Sequence, residues 1–112
     1  MTQPTDTQLK QALAKMLPDA CNIKWLRYYP STKLKESLCY CWPNSFNRKS
    51  VVRDTELLHL CWMVEESMNA ELYINKYIET LYLECGNGRA AAHASWQQRT
   101  IALCKVKGVE IV

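Results

Sequence analysis

Apolar residues recur with a helical period in four stretches of the chain, and two others are rich in β-branched and aromatic residues instead. Leu9, Ala12, Leu13, Met16 and Leu17 line one side of a helix that opens at Thr5 and closes near Leu17-Pro18, with Lys10, Gln11 and Lys15 opposite. Gln8 follows Thr5 by three residues, the capping box in which each side chain accepts from the other residue's backbone N–H. The strongest period runs from Asp54 to Gly86 and predicts two helices joined by a very short turn, an antiparallel helical hairpin at the centre of the fold. Asp54 and Asn69 are the expected N-caps, and Gly86 supplies a left-handed stop. At 100° per residue Leu57, Leu58, Leu60, Cys61, Trp62 and Val64 form the apolar arc of the first arm, with Glu56, His59, Met63 and Glu66 on the far side. In the second arm the face is Ile74, Tyr77, Ile78, Leu81, Tyr82 and Cys85.

From Ala20 to Val52 the helical period is absent. Residues 23–29 and 37–42 have the β-branched and aromatic content of strands, and Pro30 to Lys33 between them reads as a loop, which predicts an antiparallel β-hairpin. Two strands are marginal in water, so the hairpin must lie on the helices. Val51-Val52 or the terminal Val109 to Val112 could add a third strand. Beyond Gly86, Ala90 to Ala94 could be loop or irregular helix. A second capping box, Ser95 to Gln98, opens a helix that runs to about Lys107 and stops at Gly108. Its apolar residues lie on two flanks, which predicts a helix packed well into the structure. These elements sum to one α+β domain over residues 1–112, mainly helical, with about four helices and a small antiparallel β-hairpin.

Two charges fall inside apolar arcs. Glu65 lies between Cys61 and Leu58 on its helical wheel, and Arg99 between Leu103 and Val106. Desolvating either charge alone costs several kcal/mol, so each requires a charge-assisted hydrogen bond, which the two could supply to one another. Six cysteines invite a disulfide framework, yet Cys61, Cys85 and Cys104 sit on helical apolar faces, where cysteine behaves as a small hydrophobe. The polar N-terminus is not a signal peptide and no apolar run approaches the ~20 residues of a membrane span, so reduced thiols and a cytoplasmic protein are expected. Cys39-x-Cys41 with His59-x-Cys61 lacks zinc-ligand spacing, and on a helix His59 and Cys61 diverge by roughly 200°. Neither metal nor cofactor is expected.

The net charge of +3 is unevenly spread: residues 1–53 carry nine Lys/Arg and three Asp/Glu, whereas 54–112 carry five and eight. Candidate catalytic groups are sparse. His59 is one turn from Glu56, but nothing marks a nucleophile beside it. Gly86-x-Gly88-x-x-Ala91 follows a helix rather than a strand, which removes the context a dinucleotide-binding loop needs. A non-enzymatic protein is therefore expected. One constellation could bind single-stranded nucleic acid: Lys24, Arg27, Lys33, Lys35, Arg48, Lys49 and Arg53, interleaved with Trp25, Tyr28, Tyr29, Tyr40, Trp42 and Phe46. Cations would neutralise phosphates while rings, Tyr29 among them, stack on bases. The competing reading buries those rings against the helices and leaves the cations as a solvated face.

The stretches VRDTELLHLCWMVEE (52–66) and HASWQQRTIAL (93–103), with Leu17-Pro18 ahead of them, resemble small proteins encoded by bacteriophages and prophages. That family carries no assigned activity, so the resemblance implies context rather than residues: a bacterial cytoplasm and an accessory role exercised by binding a host or phage protein. The expected function is accordingly protein–protein contact, with single-stranded nucleic-acid binding as the alternative. On the helical wheels Met63, Leu72 and Leu83 are the apolar residues expected to face outward and make that contact.

Overall fold

The computed structural model describes residues 4–18, 22–28, 33, 35–40, 50–86 and 88–111. Helix α1 spans Asp6–Met16 and is opened by the full capping box of Thr5 and Gln8. Strands β1 (Ile23–Tyr28), β2 (Lys35–Tyr40) and β3 (Ser50–Val51) form an antiparallel sheet in chain order. A 3-10 turn, Asp54–Glu56, leads into α2 (Leu57–Glu66). Helix α3 covers 70–85 as an α turn (Ala70–Leu72), a wider π turn (Tyr73–Tyr77) and an α segment (Ile78–Cys85). A one-turn helix α4 (Arg89–Ala92) takes up the alanine run, and α5 (Trp96–Lys107) follows. The molecule is thus mainly helical α+β, as the periodicity predicts.

Most element ends follow from local chemistry. Asn69 caps α3 by accepting from the Leu72 N–H at 2.7 Å. Ser95 and Gln98 complete the second capping box, at 3.0 and 3.2 Å. Gly108 takes up φ 71° and ψ 26°, the left-handed conformation that ends α5 without a Cβ clash. Asp54 departs from expectation. The chain enters α2 through the 3-10 turn, so Asp54 caps nothing and its carboxylate instead accepts from Lys10 Nζ at 3.2 Å.

In the sheet Ile23 pairs with Tyr40 and Trp25 with Leu38, which sets all four on one face. Ile23 and Leu38 are buried in the core, with Trp25 and Tyr40 packed half-buried against it. Helix α1 lies on both β1 and β2. The third strand comes from residues 50–51, opposite Tyr40 and Cys39, rather than from the C-terminal residues.

Helix α5 packs against α1, α2 and α3. Its Thr100, Ala102, Leu103 and Cys104 are all buried, which no single amphipathic stripe could achieve. The buried stripe of α2 is Leu57, Leu60, Cys61, Val64 and Glu65, the strict i, i+3, i+4 pattern. Trp62, expected in that arc, stands 100° off Cys61 on the flank and is 45% exposed. Ile74, expected inward, is 63% exposed. The π turn explains it. One extra residue in the turn rotates everything before it, so that Tyr73 rather than Ile74 joins Tyr77 on the inner side.

Candidate functional site: the groove between the second and third helices

The connection from α2 to α3 is three residues, Ser67 to Asn69. Ser67 Oγ donates back to the Val64 carbonyl at 2.6 Å and Asn69 caps the next helix, so the turn is held from both sides. With the π turn just beyond it, the start of α3 stands away from the end of α2. Between them lies a groove of about 510 Å³ lined by Trp62, Glu65, Glu66, Met68, Ala70, Tyr73 and Ile74.

The floor of the groove is anchored in the core. Glu65 is the charged residue that the helical wheel places within the apolar stripe, and it is 9% exposed. Arg99 Nη1 donates to its Oε1 at 2.8 Å, and the Tyr77 hydroxyl donates to the same oxygen. Arg99 Nε and Nη2 donate to the Ala94 and Ala92 carbonyls, both at 3.2 Å, so one guanidinium ties α2 to the link between α4 and α5. The two misfit charges therefore satisfy each other. Burial, and then the bond to Glu65, push the Tyr77 hydroxyl well above its ordinary pKa, which keeps it a donor. Tyr73 lies against Tyr77 with ring centroids 5.5 Å apart and forms the wall above.

Both bonds fall on Oε1. Among the described residues no donor reaches Oε2, and no side-chain nitrogen or oxygen is both fully buried and without a partner. Oε2 therefore keeps some exposure, and Glu65 is one of the residues that line the groove. Glu66 beside it is exposed and, among the described residues, makes no ion pair. Trp62 stands at the rim with His59 edge-on, centroids 6.3 Å apart. His59 and His93 are both exposed. The groove thus combines apolar walls with two carboxylates of which one oxygen and one whole group are available.

The outward residues expected from the wheels divide. Leu83 is 83% exposed, whereas Leu72 is half-buried and Met63 packs half-buried against the core. The surface apolar residues of the groove, Trp62 and Ile74, are the two that wheel phasing assigns to the interior. A signal for Trp62 was present in the strict 57, 60, 61, 64 spacing; none announces the π turn that turns Ile74 out.

Of the basic and aromatic set, Lys24, Arg27, Lys33, Lys35 and Arg53 are exposed, and Arg27 is paired with Glu36 directly across the sheet at 2.9 Å. Tyr29, Arg48 and Lys49, together with Trp42 and Phe46, lie outside the described residues. Trp25 and Tyr40 face the core, and the Tyr40 hydroxyl donates to Glu56. Both rings are half-buried, and Trp25 also lines a surface pocket with Lys15 and Lys24.

The buried thiols belong to packing. The Thr100 hydroxyl donates to the Trp96 carbonyl at 2.7 Å and the Cys61 thiol to the same carbonyl at 3.6 Å, with Cys61 Sγ and Thr100 Oγ1 3.4 Å apart. Burial raises both the Cys61 and the Cys104 thiols from 9.0 to about 11. Between those values the unfolded chain has released protons the folded one still holds, so stability should be level below pH 9 and fall above it. Each thiol contributes a slope of about 1.4 kcal/mol per pH unit. Urea midpoints measured from pH 7 to 10.5 check this, and Cys61→Ala should remove part of the slope. A midpoint that rises across that window contradicts it. Among the described residues no three metal-ligating side chains converge, and no helix is long and apolar enough to cross a membrane.

No protein-family model, curated protein or solved structure matches this chain.

Proposed function

We propose that this protein is a non-enzymatic, phage-derived accessory protein that works by protein–protein contact, and that the groove between α2 and α3 is its contact surface. The observation that carries the reading is the pair of large apolar residues, Trp62 and Ile74, left in solvent on either side of an apolar groove. A patch of that kind on a small domain costs solubility and is a usual mark of a binding surface. The phage context rests on the resemblance of residues 52–66 and 93–103. Those stretches contain α2 and most of α5, which meet through Glu65–Arg99 and Cys61–Thr100. The inward setting of Trp25 and Tyr40 weighs against the nucleic-acid alternative.

Affinity capture from a bacterial lysate, with and without nuclease, tests it. A protein should be retained after nuclease, lost with Ile74→Asp, and kept when Lys35 and Arg53 are replaced by Ala. Recovery that depends on nucleic acid or on those two cations, and not on Ile74, would favour the nucleic-acid reading. Salt then separates the two further, because each neutralised phosphate adds roughly 0.7 to the log–log slope.

A further inference from the structure

We infer that the groove takes a cationic amphipathic segment of a partner protein, its apolar side chains lying on Trp62, Tyr73 and Ile74 and a Lys or Arg reaching Glu65 Oε2 and Glu66. This rests on the contact reading above and specifies the chemistry of the occupant.

Three observations lead there. The first is the open oxygen of Glu65. Arg99 and Tyr77 both bind Oε1, which leaves Oε2 without a donor among the described residues, on a side chain that lines the groove. A partner that covered that oxygen with hydrocarbon would strip its water and return nothing, at a cost of several kcal/mol. An occupant of this groove must therefore bring a donor, and a cation makes the stronger, charge-assisted bond. Glu66 supplies the second observation, since it stands exposed at the same lip and adds a charge that no described cation neutralises. Third, the surroundings have the same sign. Of the carboxylates from Leu57 to Cys85, Glu65 is paired with Arg99 and Glu84 with Lys105, which leaves Glu66, Glu71 and Glu79 against Lys76. That field attracts a basic segment and repels nucleic acid and anionic membrane alike.

The occupant is a chain segment rather than a small molecule because the apolar contact surface extends past the groove. Ile74 stands well out of it, and Trp62 offers an indole at the rim, where a lysine or arginine also gains from the ring's negative face. A helix that lays one apolar stripe into a groove and carries cations on its flank meets all these demands.

The test uses the full chain and three labelled synthetic peptides with the same leucine stripe and Lys, Gln or Glu at the flanking positions, read by fluorescence anisotropy at physiological salt. The Leu/Lys peptide should bind about tenfold more tightly than Leu/Gln, and Leu/Glu more weakly than either. Ile74→Asp should abolish binding. Glu66→Lys should weaken the Leu/Lys peptide by about tenfold and strengthen the Leu/Glu peptide. Both substitutions are at exposed positions, so folding is not at risk. Equal binding of Leu/Lys and Leu/Gln, still lost with Ile74→Asp, would overturn the cationic occupant and leave the groove as a contact site. Binding indifferent to both substitutions would place the peptide elsewhere and overturn the inference, as would failure of all three peptides to bind. Sedimentation that shows the chain associating with itself through Ile74 would make a second copy the occupant and overturn it too.

Discussion

Arg99→Ala is expected to destabilise the protein by roughly 3–5 kcal/mol, the range for removing one partner of a buried ion pair. The guanidinium spends three donor atoms on three acceptors: Glu65 Oε1 at 2.8 Å and the Ala94 and Ala92 carbonyls at 3.2 Å. Its side chain is 11% exposed and that of Glu65 9%, so little water can replace it on the Oε1 side of the carboxylate. Truncation leaves the Glu65 carboxylate with the Tyr77 hydroxyl as its remaining donor among the described residues. Arg99→Lys should recover part of the loss, because an ammonium restores the charge without the planar fork that reaches both carbonyls. Replacing Glu65 and Arg99 together by Met should be milder than Arg99→Ala alone, since no charge is then left buried without a partner. Urea denaturation of the three variants measures this. A loss below 1 kcal/mol for Arg99→Ala would mean that solvent reaches the pair and that the floor of the groove is soft.

That pair was readable in advance, and the reason is general. A helical period tells which positions are buried whatever occupies them, so a charge at such a position declares that it needs a partner. Glu65 and Arg99 each stood in an apolar arc, and two such misfits of opposite sign point to one another. The helix ends were equally readable where a local rule operates: Thr5 and Ser95 with their glutamines, Asn69, and Gly86 and Gly108 at positive φ. Each concerns neighbours within a turn or so, and neighbours are what a sequence displays.

The groove was not readable, because it depends on a change of helical phase. A wheel with a constant 100° step places Ile74 with Tyr77 and Ile78, and it would be right for an unbroken α-helix. The π turn from Tyr73 to Tyr77 replaces one step and turns Tyr73 in and Ile74 out. The packing of Tyr73 against Tyr77, whose hydroxyl is bound to Glu65, accompanies that turn, and this constraint comes from across the fold. The role of α5 was half visible. Its apolar residues on two flanks predicted deep packing, but the identity of the elements on those flanks is tertiary information. Asp54 shows the same limit, since a good capping residue was drawn instead into an ion pair with Lys10, forty-four positions away.

Leu103→Ala is expected to cost roughly 2–5 kcal/mol and to fall in the upper part of that range. The loss joins two effects, the transfer free energy of the missing carbons and the cavity they leave. The second varies most, because it depends on how far the surroundings can collapse. Leu103 is fully buried in the middle of α5, and that helix packs against α1, α2 and α3 at once. Movement of α1 or α2 into the space is opposed by their contact with each other and by the packing of α1 on the sheet. Arg99 pins the start of α5 to α2, which opposes a tilt of the helix into the gap, and Lys105 pairs with Glu84 of α3 near its end. Leu83→Ala serves as the contrast: its side chain is among the exposed apolar groups, and the change should stay within about 0.5 kcal/mol. Leu103→Met keeps the volume and should cost less than about 1.5 kcal/mol. Urea midpoints at unchanged m-value would order the three variants. A Leu103→Ala loss no larger than that of Leu83→Ala would show that α5 is not the element on which the other helices converge.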